Sequence, residues 1–282
     1  MPGRNFRLQD YAAYLARVGD ATYVDCTRRT DPARAPRVWE NLRAVAEAYG
    51  PPWILQIWTK NPRGVMELGG ALLERLCAGG TTITCQLTVT GLGGTELEPR
   101  APADALGEAG ELLECIGGPA HCAWRFDPAI AGLDNTARFE ALAPRAAALG
   151  IKRLVVNFAC DPGVYARVDA RLAAVFPYWR PGLPGIEPGW KERTAREIAA
   201  RAAALGLAVF CCAEGKALRE AVPDLEPPEC GSFTWFCALS GRTPGRRKGR
   251  PSRRGCGCAD YFDVGCYGNW RACHGCLYCY AG

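Results

Sequence analysis

The chain has 282 residues, of which 49% are hydrophobic and 22% charged, so it is long enough to bury a full globular core. No apolar run approaches the roughly 20 residues that a membrane-spanning helix needs, and the N-terminal stretch lacks the apolar block of a secretion signal. These features exclude a membrane protein of the helical type and predict a cytoplasmic one.

The net charge of +5 is concentrated in one segment. Residues 242–254 contain seven Lys and Arg and no acid, so the rest of the chain is net negative. A basic segment broken by Gly and Pro is typical of a solvated loop. It is also a candidate contact for an anionic partner such as nucleic acid.

Short β-rich runs alternate with Ala-, Leu- and Arg-rich stretches. The predicted strands are residues 21–27, 53–61, 81–91, 121–128, 153–160 and 207–214. The predicted helices are residues 33–50, 65–80, 103–118, 133–150 and 190–206, and each ends in Gly, as helix C-termini prefer. This alternation predicts a parallel α/β sheet. No GxGxxG or phosphate-loop motif follows the first strand, which leaves a full or partial (β/α) barrel as the predicted fold.

In barrels of this kind, functional residues gather where the strands end. The predicted strand ends carry charged side chains that can pair with carboxylate, ammonium or hydroxyl groups. They are Arg28, Arg29, Asp31, Lys60, Arg125, Asp127 and Glu214.

The composition changes near residue 222, where the chain becomes turn-rich and dense in cysteine. We therefore predict a barrel-like domain over residues 1–221 and a Cys-rich appendage over residues 222–282, which includes the basic loop 242–254. The appendage has little apolar periodicity of its own, so we expect a metal to hold it in place.

Six of the sixteen cysteines lie within residues 256–279. They are Cys256, Cys258, Cys266, Cys273, Cys276 and Cys279. In a reducing compartment such crowding indicates metal or cluster ligation rather than disulfides.

The last three cysteines are spaced Cys-x2-Cys-x2-Cys, which suits three thiolates on one face of an iron–sulfur cluster. A fourth local cysteine is missing. Either Cys256, Cys258 or Cys266 supplies the fourth ligand, or one iron stays open. A four-thiolate zinc site is the alternative.

The stretch HGCLYCY resembles the second half of the cluster motif of radical S-adenosylmethionine enzymes, with Cys276, Tyr278 and Cys279 at the matching positions. Residues 253–281 are similar to the C-terminal signature of an uncharacterised bacterial group, domain-of-unknown-function family 1848. Earlier motifs of that family follow in order: CTRRTDPARAP, WTKNP, QLTVTG, LEP, WRFDP and CAE. The spacing departs from the usual radical-enzyme pattern, because Cys273 and Cys276 enclose two residues instead of three.

The resemblance implies an enzyme in which Cys273, Cys276 and Cys279 hold a 4Fe-4S cluster, and in which S-adenosylmethionine binds the open iron and is cleaved reductively. Tyr278 would lie near the adenine. The charged strand-end residues named above would bind the rest of the cofactor. A small-molecule substrate and a reductant protein such as flavodoxin or ferredoxin are also implied.

Cys256, Cys258 and Cys266, together with Cys230, are candidates for a second, auxiliary cluster. Two other functions stay open on the residues alone. The protein could be a non-catalytic iron–sulfur electron carrier with a fourth cysteine ligand. It could also be a zinc-stabilised protein that binds nucleic acid through loop 242–254.

Overall fold

The computed structural model describes residues 6–179, 187–211, 216–227, 230–245, 257–266 and 273–280. Within these residues seven strands form one sheet: β1 Tyr23–Cys26, β2 Ile54–Thr59, β3 Thr82–Thr88, β4 Cys122–Ala129, β5 Arg153–Phe158, β6 Ala208–Cys211 and β7 Phe262–Asp263. The spatial order is β6-β5-β4-β3-β2-β1-β7, and every neighbouring pair is parallel. The sheet is open between β6 and β7, so the fold is a partial (β/α) barrel.

Helices alternate with these strands over the described ranges. They are α1 Leu8–Val18, α2 Pro36–Tyr49, α3 Pro62–Ala78, α4 Gly110–Cys115, α5 Asn135–Ala148, α6 Ala166–Val175, α7 Trp190–Ala204, α8 Lys216–Ala221 and α9 Phe233–Ser240. Short 3-10 turns precede α2 at Pro32–Arg34 and β4 at Pro119–His121. No helix in the described part of the chain is long and apolar enough to cross a membrane.

The two faces of the sheet differ in chemistry because side chains alternate along each strand. The face toward the helices is apolar and buried, as at Leu55, Ile57 and Trp124. The opposite face, called here the polar face, carries Tyr23, Asp25, Gln56, Gln86 and Arg125, and these are buried as well. Buried polar groups need hydrogen-bond partners, and these side chains bond to one another, as where Gln56 Nε2 donates to Tyr23 Oη at 2.8 Å.

Local packing fixes the helices against the sheet. Helix α3 starts with Pro62 at its first position, and the Asn61 side chain caps it by accepting from Gly64 N at 2.9 Å. Gly69 allows α3 to approach α2, since a Cβ there would lie 2.4 Å from the ring of Trp39. The cap ends β2 sharply and thereby positions Lys60 beyond the strand end.

The C-terminal segment packs onto the same structure as the rest of the chain. Strand β7 extends the sheet beside β1, where Phe262 packs edge-on against Tyr11 with ring centroids 5.0 Å apart. Helix α9 covers one end of the polar face, where Phe236 meets Tyr23 at 4.8 Å. The boundary between residues 221 and 222 stays a prediction.

The six predicted strands are present, and four of the five predicted helices match α2, α3, α5 and α7. The helix predicted over 103–118 forms only as α4, because turns occupy residues 103–108 and the Asp104 side chain accepts from Gly107 N. Helices α1, α6, α8 and α9 and the short strand β7 were not predicted.

Candidate functional site

The C-terminal ends of β1 to β4 carry two groups of polar side chains. The first, called here the tail cluster, joins Asp31, Lys60 and Glu98 to residues 273–280. The second, called here the arginine cluster, lies on the polar face and consists of Asp25, Arg28, Trp58, Arg125 and Asp127. Both groups contain residues that the sequence singled out.

Asp31 is the centre of the tail cluster. Its Oδ1 accepts from Ala33 N at 2.9 Å and Thr59 Oγ1 at 2.8 Å, and its Oδ2 accepts from Lys60 N at 2.6 Å. His274 Nε2 donates to the same Oδ2 at 2.8 Å. His274 is 2% exposed, so this buried pair attaches the tail to the end of β1.

The other nitrogen of His274 is also engaged. Its Nδ1 lies 3.0 Å from the carbonyl oxygen of Arg100. Both ring nitrogens therefore face oxygen atoms of other residues. Backbone bonds run alongside, from Arg100 N to His274 O at 3.3 Å and from Leu277 N to Leu97 O at 3.1 Å. The tail thus lies against the loop that follows β3.

Glu98 forms a second buried contact between this loop and the tail. Its Oε1 accepts from Lys60 Nζ at 3.1 Å and from the hydroxyls of Thr90 and Tyr278. Burial alone would raise the pKa of Glu98, but the Lys60 charge and these three hydrogen bonds outweigh it and lower the pKa. For Lys60, burial works to lower the pKa, and the Glu98 charge reverses the direction. The pair is therefore ionised and internally neutralised.

The three tail cysteines lie beside this polar framework. Cys273 Sγ accepts from Asp31 N at 3.4 Å, and a turn closes between Cys279 N and Cys276 O at 3.1 Å. Burial raises the pKa of Cys276 to about 12, and the Lys60 charge works in the opposite direction. Burial also raises the pKa of Cys273.

The donor set of the tail fits an iron–sulfur cluster chemically. Thiols are the ligands that such clusters require, and amide donors to sulfur such as Asp31 N belong to their usual surroundings. Within the described ranges no three His, Cys, Asp or Glu side chains are gathered closely enough to hold a single metal ion. An iron–sulfur cluster does not require its ligands to converge on one metal ion, because each thiolate binds a different iron.

The cysteines predicted for a second site do not lie together. Thr30 Oγ1 donates to Cys266 O at 2.8 Å, which places Cys266 beside Asp31 and the tail. Cys258 lies on the polar face instead, where its Sγ accepts from Gly231 N at 3.3 Å. Cys256 lies outside the described residues, so the second site remains a prediction; of its three described members, Cys230 lies beside Cys258 on the polar face, and Cys266 lies beside the tail.

Two arginines and one indole define the arginine cluster. The guanidinium groups of Arg28 and Arg125 lie over the ring of Trp58, at 4.6 and 4.9 Å from its centroid. Arg28 is paired with Asp25, and Arg125 with Asp127. Each of these two arginines thus has its own carboxylate.

Asp25 is the most deeply buried member, with no exposed surface. It accepts from Tyr23 Oη and Trp58 Nε1, both at 2.8 Å, and from Arg28 Nε. Burial raises its pKa to about 6, and the opposing Arg28 charge does not cancel that effect. Asp127 is more accessible, with its side chain 21% exposed.

The predicted cofactor-binding residues are therefore divided between different places. Asp31, Lys60 and Tyr278 belong to the tail cluster, and Arg28, Arg125 and Asp127 to the arginine cluster. Arg29 lies apart at the β7 edge, where Nη1 donates to Gly265 O at 3.0 Å and Nε is 3.7 Å from Asp263. Glu214 lies outside the described residues.

Sequence reasoning missed Asp25, Trp58 and Glu98. Asp25 had a usable signal, because an acid inside an apolar strand requires a buried partner. Glu98 stood in the LEP motif without a role. Its importance depends on contacts with Lys60 and Tyr278, which are remote in the chain.

These elements define an α/β protein with an open parallel sheet, whose strand ends are covered by a cysteine-rich tail. The family model described as "Domain of unknown function (DUF1848)" matches residues 41–281, and the chain belongs to that family.

One solved structure with a similar fold is Streptococcus suis SuiB bound to S-adenosylmethionine. The two chains share 13% sequence identity with a TM-score of 0.35, and the match covers 77% of this chain and 57% of SuiB. The chain therefore spans less than two thirds of the length of SuiB. No curated protein matches the chain.

Proposed function

We propose that the protein is an iron–sulfur, S-adenosylmethionine-dependent radical enzyme, with its cluster on Cys273, Cys276 and Cys279. The observation that carries the proposal is the position of the tail. Its cysteines lie at the strand ends, where Cys273 accepts from Asp31 N and the Asp31 carboxylate accepts from His274. Active sites of parallel α/β folds form at this edge of the sheet.

The ligands would be the three tail thiolates, which leave one iron for S-adenosylmethionine. When bound, the cluster would supply the electron that breaks a carbon–sulfur bond of that molecule. Lys60 favours the thiolate form of Cys276 through its charge. Cys276 is 7% exposed, so the tail also keeps water from this part of the site.

The arginine cluster is the nearest set of side chains that could orient an amino acid or ribose group. In the described part of the chain, Arg28 Nη1 has no hydrogen-bond partner, whereas Nε and Nη2 donate to Asp25 and Tyr23. A carboxylate could bind there. Asp127 is the partly exposed acid that could accept from a hydroxyl or ammonium group.

The electron-carrier alternative is supported by the position of Cys266. Thr30 Oγ1 donates to the carbonyl oxygen of Cys266. The next residue in the chain is Asp31, whose backbone amide donates to Cys273 Sγ. Among the described residues, Cys266 is therefore the best candidate for a fourth thiolate ligand. A fully cysteine-ligated cluster would leave no iron for S-adenosylmethionine.

Anaerobic reconstitution tests whether the protein binds an iron–sulfur cluster, which both functions require. We expect about four irons and four sulfides per chain, which are lost in Cys276→Ser and retained in the control Cys77→Ser, a half-buried cysteine on α3. Colourless protein that retains zinc would refute both iron–sulfur functions.

The electron paramagnetic resonance of the reduced cluster then tests the open iron. We expect S-adenosylmethionine to change the spectrum of the unsubstituted protein and of Cys266→Ser alike. A spectrum that responds only in Cys266→Ser would identify Cys266 as the fourth ligand and contradict the enzyme function. Product analysis after incubation with reductant would show which carbon–sulfur bond breaks.

A further inference from the structure

Two cysteines from separate segments meet on the polar face. Cys258 Sγ accepts from the amide of Gly231 at 3.3 Å, and Ala259 N donates to Gly231 O at 2.9 Å. These bonds hold the segment after β6 beside the segment before β7, so Cys230 and Cys258 are neighbours. They are 3% and 9% exposed.

Close approach to the sheet keeps this pair in place. A Cβ at Gly231 would lie 2.7 Å from the hydroxyl oxygen of Tyr23, so glycine is required for the segment to lie this close to the sheet. Gln86 Nε2 donates to Cys230 O at 2.8 Å and fixes the adjoining carbonyl. The position of the two thiols is therefore determined by the sheet rather than by a loose loop.

One of the two thiols lies beside an arginine, because Arg125 Nη1 donates to Cys230 Sγ at 3.1 Å. A cation beside a thiol favours the nucleophilic thiolate.

A second pair of neighbouring cysteines provides a contrast. Cys85 and Cys122 lie side by side on β3 and β4, facing the helices, and are 0% and 1% exposed. They belong to the apolar core that packs against the helices. This pair is the matched control for accessibility and charge.

We propose that Cys230 and Cys258 form a two-thiol binding site for a thiophilic metalloid, of which a trivalent organoarsenical is the representative ligand. Soft ligands such as thiolates select soft acceptors. With phenylarsine oxide, two S–H bonds and one As=O bond are replaced by two As–S bonds, and the oxygen leaves with both protons as water. No oxidant or reductant is needed.

The site does not use the three tail cysteines, although Arg125, which donates to Cys230 Sγ, also belongs to the arginine cluster of the proposed function. It also differs from an auxiliary cluster, which would require further thiolates. The test therefore uses the cluster-free full-length protein, and its outcome does not depend on reconstitution.

Native mass spectrometry with phenylarsine oxide counts the bound arsenicals. We expect Cys230→Ser and Cys258→Ser each to bind one fewer than the unsubstituted protein, and Cys85→Ala to bind the same number. Any adduct on the tail cysteines is common to all four proteins and cancels in the comparison. Thermal unfolding followed by circular dichroism confirms that each variant is folded.

Fragmentation of the adduct of the unsubstituted protein provides a readout without any substitution. The proposal requires one phenylarsenic group to link the peptides containing Cys230 and Cys258. Absence of that link, or an unchanged count in both serine variants, overturns it.

Discussion

The attachment of the tail through Asp31 can be tested with Asp31→Asn. Oδ2 accepts from Lys60 N at 2.6 Å and from His274 Nε2 at 2.8 Å. An asparagine that keeps its oxygen at the Oδ1 position, toward Ala33 and Thr59, turns an NH2 group toward these two donors. The bond from Lys60 N is then lost, whereas the His274 contact can reverse, because an imidazole nitrogen donates or accepts according to the tautomer.

The magnitude follows from the charge on the lost acceptor. Hydrogen bonds to charged groups contribute about 1.5–3 kcal/mol each, so losing the bond from Lys60 N should lower the free energy of unfolding by about 1.5–3 kcal/mol. A domain has only about 5–15 kcal/mol of total stability. The substitution should therefore be evident in any equilibrium unfolding experiment.

Urea unfolding of Asp31→Asn measures the loss, and Asp134→Asn is the matched control. Asp134 is exposed and caps α5 by accepting from Ala137 N at 2.9 Å. Since Asn caps helices as well as Asp does, we expect the control to change stability by about 0.5 kcal/mol or less. Amide exchange at Leu277, whose N–H donates to Leu97 O, should also accelerate in Asp31→Asn. The reasoning fails if the two variants are equally stable, or if that amide stays protected.

Two further predictions concern the polar face. The pKa of Asp25, raised to about 6 by burial, lies above the value in the unfolded chain, so the folded state binds the proton more tightly. The protein should therefore lose stability relative to Asp25→Asn as the pH rises from about 4 to about 6. The loss should be about 3 kcal/mol by urea unfolding, and a difference that does not vary with pH would contradict it. Gly231→Ala should destabilise by about 1–3 kcal/mol, because its Cβ would overlap the Tyr23 hydroxyl. Gly110→Ala, where a Cβ meets nothing within 4 Å, should have almost no effect in the same thermal unfolding assay.

The sheet was predictable because its information is local. Each of the first six strands is an apolar run, and each of the five predicted helices ends in Gly, as at Gly50 and Gly206, where the backbone turns with positive φ. Strand β7 could not be predicted in this way. It is two residues long, and its place depends on Tyr11 and Tyr14, which precede it by about 250 residues along the chain.

The cysteines of the tail could be recognised in the sequence, but their polar partners could not. The spacing of Cys273, Cys276 and Cys279 is visible in the sequence. The contacts of His274 with Asp31 and of Tyr278 with Glu98 join residues separated by 243 and 180 positions, and no periodic pattern records them.

For the arginines, a binding role was predicted from the residue type, but the internal partner was not. Arg28 was predicted to bind a cofactor carboxylate, because strand-end arginines can do so. In the structure Arg28 forms an ion pair with Asp25, a buried carboxylate three residues earlier in the chain. The proposed function requires a ligand carboxylate to bind Arg28 in addition to Asp25.

The long sequence separation of the tail contacts has a consequence for biogenesis. Sheet pairs β1 to β6 each join neighbouring segments and can form while the chain emerges from the ribosome, whereas Asp31 must wait for a histidine 243 positions later. Contacts that close such long loops form late. Delivery of iron and sulfide would therefore have to follow translation, and any nascent chain stalled before the tail would hold a nearly complete sheet with no place to receive them.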